Sequence, residues 1–166
     1  MKVGLVHGRF QPFHNGHKLL VDKMLEECDL GVVLIGSVGK NDSKNLFDFN
    51  TRKKMIRKLY PNTKKLLIGG NIDLENPLSA DAQWDVVFSS CVLSLTGLLP
   101  THVYVGSDYS VPWRKAKPNL RKVDRYKSIS ATQIRELMSK KDFDLISELV
   151  PEKIFQIIKS EIRQPK

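Results

Sequence analysis

Two short apolar runs rich in β-branched residues, 3–6 and 30–35, stand on either side of one segment of helical period, and that spacing most constrains the fold. Runs that are apolar throughout, rather than alternating, suit strands covered on both faces of a parallel sheet. Parallel neighbours need a crossover, and Leu20, Met24 and Cys28 recur at the helical spacing that would seal one against the sheet. Residues 3–35 thus predict a βαβ unit. Further along, 51–60 reads as a basic helix stopped by Pro61, and 66–68 as a strand. Trp84, Val87, Phe88, Cys91 and Leu95 form the apolar stripe of a helix, 103–105 a strand, and 130–139, 143–149 and 152–162 closing helices. No repeat, low-complexity tract or linker divides the chain, so one domain over 1–166 is expected. The alternation argues an α/β, doubly wound parallel sheet with helices on both faces and ligands at the carboxyl edge of its strands.

Lys+Arg 27 against Asp+Glu 18 leaves a formal charge of +9, which favours an anionic partner such as a nucleotide, nucleic acid or acidic lipid head group, beside the plainer reading of a lysine-rich solvated surface. Cys28 and Cys91 form no CxxC pair, and the apolar start at 3–6 is too short for a signal, so a reducing cytoplasm is expected. The uncharged run 86–101 is broken by Ser89, Ser90, Ser94, Thr96 and Gly97 and stops at Pro100. It fits a helix in water better than a membrane span, and no membrane partner is expected.

The turn between the first strand and helix reads Gly-Arg-Phe-Gln-Pro-Phe-His-Asn-Gly-His over 8–17. His14 and His17 stand three apart and project to one side, while Gly16 leaves the backbone open to close approach. At a helix N-terminus this suits an anion with several oxygens, although each imidazole is equally explained as a cap. A distant segment, 128–135, reads Ser-Ile-Ser-Ala-Thr-Gln-Ile-Arg. Ser130 and Gln133 have capping-box spacing, which accounts for Ser130 but not for a hydroxyl and a guanidinium in the first turn, Thr132 and Arg135. Those two suit a phosphate clamp. No further Cys or His recurs at ligand spacing, so a zinc site on His14 and His17 is not expected.

Segments 8–17 and 129–135 together resemble the nucleotidylyltransferase superfamily, and the first is most similar to the archaeal-type nicotinamide-nucleotide adenylyltransferases. The resemblance extends in order and spacing through Gly36-Ser37, Asn45 and Phe47 before a helix with Arg52, Trp84, Tyr104-Val105-Gly106-Ser107 and Asp124-Arg125-Tyr126. It implies a Rossmann-like fold of nucleotidylyltransferase type and an enzyme that joins ATP to nicotinamide mononucleotide, giving NAD and pyrophosphate. By the same resemblance His14, His17, Arg9 and Arg135 are catalytic, and Gly8, Phe10, Gly16, Gly106, Asp108, Ser130 and Thr132 bind ATP. Ser37, Asn45, Arg52, Asp81 and Trp84 would bind the mononucleotide. Mg²⁺ would ride on the substrate phosphates rather than in a carboxylate cage, and relatives' assembly leaves a homo-oligomer open.

Trp84 on an apolar stripe is explained as core, or as a face for the cationic nicotinamide ring. Asp73 or Asp81 nearby would accept from a carboxamide and repel a carboxylate, unless they serve a turn and a helix start. The chain departs from the archaeal pattern at 40–47, where relatives carry a His and a Pro, and Gly106-Ser107-Asp108-Tyr109 with Trp113 is similar to the nicotinate-preferring bacterial branch. Nicotinate mononucleotide, phosphopantetheine or another phosphomonoester therefore stay open as acceptors. So does a non-catalytic nucleotide sensor or nucleic-acid binder, motivated by Arg52, Lys53, Lys54, Arg57 and Lys58. Against that last reading, the basic helix lacks interleaved aromatics and any nucleic-acid motif.

Overall fold

The computed structural model describes residues 1–71, 80–107, 117–124 and 128–163. Five strands form one sheet: β1 (Val3–Gly8), β2 (Leu30–Ile35), β3 (Leu66–Gly70), β4 (His102–Gly106) and β5 (Asn119–Val123). Their order is β3-β2-β1-β4-β5 and every pairing is parallel. The helices are α1 (Asn15–Glu27), α2 (Phe49–Leu59), α3 (Ala80–Thr96), α4 (Ala131–Lys140), α5 (Phe143–Leu149) and α6 (Glu152–Arg163).

Strand alternation divides the core into two layers. Val3 and Leu5 of β1, Val32 and Leu34 of β2, and Val103 and Val105 of β4 pack with Phe88 and Val92 of α3. Val6, Val33, Ile35 and Tyr104 belong to the other layer, with Met24 of α1, Met55 and Ile56 of α2, Ile134 of α4 and Ile158 of α6. Helices cover both faces, as the apolar runs require. α1 lies so close to the sheet that a Cβ at Gly4 would stand 2.5 Å from Met24 Cγ and one at Gly31 2.7 Å from Met24 Cε. Only the absence of a side chain at both positions admits that approach.

The chain builds outward from β1 to β2 and β3, then returns to lay β4 and β5 on its other side. Loops leaving the carboxyl ends of β1 and β4 therefore diverge, opening a crevice between them.

Several expectations need correction. Val21, rather than Leu20, is the fully buried partner of Met24, and Leu95 is exposed. α2 starts at Phe49 because Asp48 caps it, its carboxylate accepting from the Thr51 N–H at 2.7 Å. β3 runs on through Gly69 and Gly70, whose lack of side chains hides them from an apolar-run reading. β5 was not anticipated, since its exposed residues pair with β4 through the backbone and show no apolar pattern. Among the described residues no helix is long and apolar enough to cross a membrane.

Candidate active site

The loop after β1 and the start of α1 are fixed by the two histidines. The His17 backbone N–H donates to His14 Nδ1 at 3.4 Å, and the His14 N–H donates to His17 Nδ1 at 3.3 Å, a reciprocal capping box made of imidazoles. The rings stack with centroids 3.6 Å apart. Since each Nδ1 accepts, the neutral rings carry their protons on Nε2. Capping and ligand binding, alternatives in sequence, are thus compatible: the cap uses one ring nitrogen and defines the other as a donor. Phe10 meets the His17 ring edge-on at 4.8 Å and Phe13 lies 5.5 Å from it.

Burial in this aromatic box, with the His14 charge second, holds the His17 imidazole well below its ordinary range. The unfolded chain takes up a proton near the ordinary His value of about 6.5, whereas the folded chain does so only at lower pH. Stability present above that value is lost as pH falls through it toward the lowered one. The melting temperature of the ligand-free protein is expected to drop from pH 7 to pH 5.5, and less steeply in His17→Asn. Identical slopes in differential scanning fluorimetry would count against this assignment.

The late helix closes on this loop. Ser130 caps α4, its hydroxyl accepting from the Gln133 N–H. One turn in, Arg135 Nη1 donates to the Gln11 carbonyl at 2.9 Å and Nη2 to Thr132 Oγ1 at 3.0 Å. Burial, then the neighbouring Arg9 guanidinium, lowers the Arg135 pKa. Two guanidiniums that repel one another across a cavity wall are a site for an anion.

That cavity, about 360 Å³, is lined by Arg9, Phe10, His14, Gly16 and His17 from one motif and by Ser130, Thr132 and Arg135 from the other, with Gly106 at the end of β4. A second hollow of about 430 Å³ shares Arg9, Thr132 and Arg135 and adds Ser43, Lys44 and Ser139. Gly8 ends β1 beneath them without lining either. His7 and Gln11 also line the cavity, and the sequence reading gave neither a role. His7 was detectable as the third member of the Val3, Leu5, His7 row of an alternating strand. Gln11 had no such signal, yet its side chain brackets the Phe47 peptide, Nε2 donating to the carbonyl at 2.7 Å and Oε1 accepting from the N–H at 2.9 Å.

The residues assigned to the mononucleotide are placed differently. Arg52 is fully buried and does not line the cavity. Its Nη1 donates to the Arg9 carbonyl at 2.8 Å and the Gly36 carbonyl at 2.6 Å, Nη2 to the Ser37 carbonyl at 3.2 Å, and Nε to the Asp48 carbonyl at 3.2 Å. The expectation of a ligand contact is corrected to a framework role, which also removes Arg52 from the basic face of α2. Ser37 and Asn45 are likewise buried away from the cavity wall, Asn45 Nδ2 donating to Asp42 Oδ1 at 2.9 Å. Trp84 is half-buried, stacked on Phe88 at 5.4 Å. Asp73, Asp108, Tyr109, Trp113, Arg125 and Tyr126, and the side chain of Asp81, lie outside the described residues.

Residues 5–137 match the model of the family described as Cytidylyltransferase-like. The nicotinamide-nucleotide adenylyltransferase of Methanococcus maripaludis is 31% identical over 155 residues, covering 91% of this chain and 85% of that protein. The phosphopantetheine adenylyltransferase of Francisella philomiragia is 27% identical over 169 residues, covering 95% and 94%. A bifunctional NMN adenylyltransferase/ADP ribose pyrophosphatase from Francisella tularensis superposes with a TM-score of 0.77 at 20% identity, covering 98% of this chain and 50% of that one. A second structure of it, with AMP and manganese, superposes at 0.71 and 21% identity, covering 97% and 52%. The fold is shared, and this chain spans about half the length of that protein.

Proposed function

The chain belongs to the cytidylyltransferase-like family, and from that premise we propose that residues 1–166 act as one adenylyltransferase domain joining ATP to nicotinamide mononucleotide. The observation that carries this reading is the Arg135–Gln11 bond, which joins the histidine loop to the late helix around one cavity. A phosphate oxygen of the mononucleotide attacks the α-phosphorus of ATP. The bond from that phosphorus to the β-bridging oxygen breaks, and its electron pair leaves on pyrophosphate, giving NAD without a covalent enzyme intermediate. A phosphate monoester with second pKa about 6 is already largely dianionic at neutral pH, so no general base is needed.

Charge placement does the rest. His17 presents Nε2–H to the α-phosphate, with His14 stacked beside it, while Arg9 and Arg135 hold the triphosphate. Thr132 and the first-turn amides of α1 and α4 complete the cradle. Among the described residues no group of three His, Cys, Asp or Glu side chains is positioned to hold a metal ion, so a divalent cation, Mg²⁺ in this reading, would be carried by the nucleotide oxygens. Such an ion would supply charge neutralisation for the triphosphate and the leaving pyrophosphate. Trp84 offers its face to the pyridinium ring. The two cysteines are free, in keeping with a reducing cytoplasm as the setting.

Incubation with ATP, MgCl₂ and nicotinamide mononucleotide should yield NAD and pyrophosphate in equal amounts, with nicotinate mononucleotide at least about tenfold poorer in kcat/KM. No NAD above a His17→Ala control would overturn the reading. The 40–47 loop and the likeness to a phosphopantetheine adenylyltransferase support a second reading, adenylyl transfer to another phosphomonoester. Pyrophosphate release with phosphopantetheine alone would establish it.

A further inference from the structure

We propose that Gln11 is a positioning residue: by holding the 40–47 loop against the histidine loop, it brings Lys44 to the phosphate clamp. The inference rests on the adenylyl-transfer reading above and concerns how the same site receives triphosphate and releases pyrophosphate. Gln11 is 1% exposed, and its side chain pairs with a single peptide. Nε2 donates to the Phe47 carbonyl and Oε1 accepts from the Phe47 N–H, as a neighbouring strand would. Its backbone carbonyl accepts from Arg135 Nη1. One residue thus joins the histidine loop, the 40–47 loop and the first turns of α4.

The tip of the 40–47 loop is closed on itself. Asp42 Oδ1 accepts from the Lys44 N–H at 2.8 Å and from Asn45 Nδ2 at 2.9 Å. Phe47, whose ring is buried in the core, is where Gln11 ties that turn inward. The turn carries Ser43 and Lys44 to the wall of the hollow that holds Arg9, Thr132 and Arg135. Burial and Arg9 lower the Arg135 pKa, and Asp42 stands near enough to oppose them, so the turn faces the clamp with both signs of charge. Three cations around one hollow repel one another while no anion lies between them. A turn without its tie would swing Lys44 into water, and each incoming triphosphate would have to draw it back. The Gln11 bracket orders the turn on folding instead, before any ligand arrives. Both polar atoms of the Gln11 amide are committed to Phe47, so its effect on substrate runs through the loop.

The test is a double-mutant cycle between Gln11 and Lys44, read as KM for ATP and as inhibition by inorganic pyrophosphate. Gln11→Met keeps the length of the side chain and removes both bonds to Phe47. It should raise KM for ATP and the inhibition constant of pyrophosphate about tenfold each. Lys44→Ala should do the same, and the double variant should be no worse than either single one, because a loop without its ammonium has nothing to position. At saturating ATP kcat should stay within about threefold, since His17 is untouched, and KM for the acceptor within about twofold. Should Gln11→Met fail to fold, Gln11→Asn, which keeps the amide but draws it back by one methylene, carries the same cycle. Three results would each overturn the role of Gln11 while leaving adenylyl transfer standing: losses that multiply in the double variant, a Gln11 variant with a lowered melting temperature but an unchanged KM for ATP, or a Lys44→Ala protein that handles ATP and pyrophosphate as before. An unaltered protein that releases no pyrophosphate from ATP with any pyridine mononucleotide or with phosphopantetheine would instead remove the adenylyl-transfer reading, and this inference with it.

Discussion

Replacing His17 by Ala is expected to lower kcat for adenylyl transfer by roughly 10²–10³-fold, the usual cost of removing one preorganised donor from a developing oxyanion. The ring's Nδ1 accepts from the His14 N–H and its flanks are packed by Phe10, Phe13 and His14, so Nε2–H is aimed before any substrate arrives. Little reorganisation accompanies the reaction. The imidazole is also neutral at pH 7 because of its burial, so the donor is a dipole until the triphosphate enters and pulls the proton affinity up. KM for ATP should change by less than about fivefold, since the proposed phosphate contacts of Arg9 and Arg135 are untouched by the substitution. The same substitution removes one cap contact, worth about 1 kcal/mol, a shift of about 2–4 °C in melting temperature for a chain of this size. Steady-state kinetics beside a melting curve separate the two effects. A kcat within tenfold of the unaltered protein would show that His17 serves only as the cap.

The second large effect concerns stability. Arg52→Ala should cost about 4 kcal/mol, or about 10 °C in melting temperature. One fully buried guanidinium satisfies the carbonyls of Arg9, Gly36, Ser37 and Asp48. Two of these acceptors, Arg9 and Gly36, immediately precede residues in the left-handed region, Phe10 at φ 53° and Ser37 at φ 54°. Neither is glycine, so each turn is held against a strain of order 1 kcal/mol or more. Removing the guanidinium leaves buried acceptors unpaired and frees both turns at the carboxyl ends of β1 and β2. Arg52→Lys should recover less than half, because an ammonium lacks the planar fork that reaches four carbonyls. A melting temperature within about 3 °C of the unaltered protein for Arg52→Ala would show that water replaces the guanidinium at no cost.

Four of the residues proposed to meet phosphate were legible as local pattern in the sequence. His14, His17, Thr132 and Arg135 sit at helix starts, where capping grammar and short-range spacing are visible in the chain itself, and the structure brings all four to one cavity. The framework role of Arg52 was not visible because an arginine on a basic helix looks solvent-facing, and nothing local reveals that three of its four acceptors are carbonyls 15 to 43 positions away. Gln11 was silent for the same reason, its partner Phe47 lying 36 positions off. The edge strand β5 was invisible since its side chains are exposed and only its backbone is paired. What a helix start or an apolar run encodes is local. What closes a loop against another loop is not.

The link from Arg135 back to Gln11 spans 124 positions. During synthesis the histidine loop leaves the ribosome long before the helix that completes its cavity exists. On the proposed reading, the nascent chain cannot complete this cavity, and so cannot draw stability from a nucleotide held across it, until residues 131–140 have emerged.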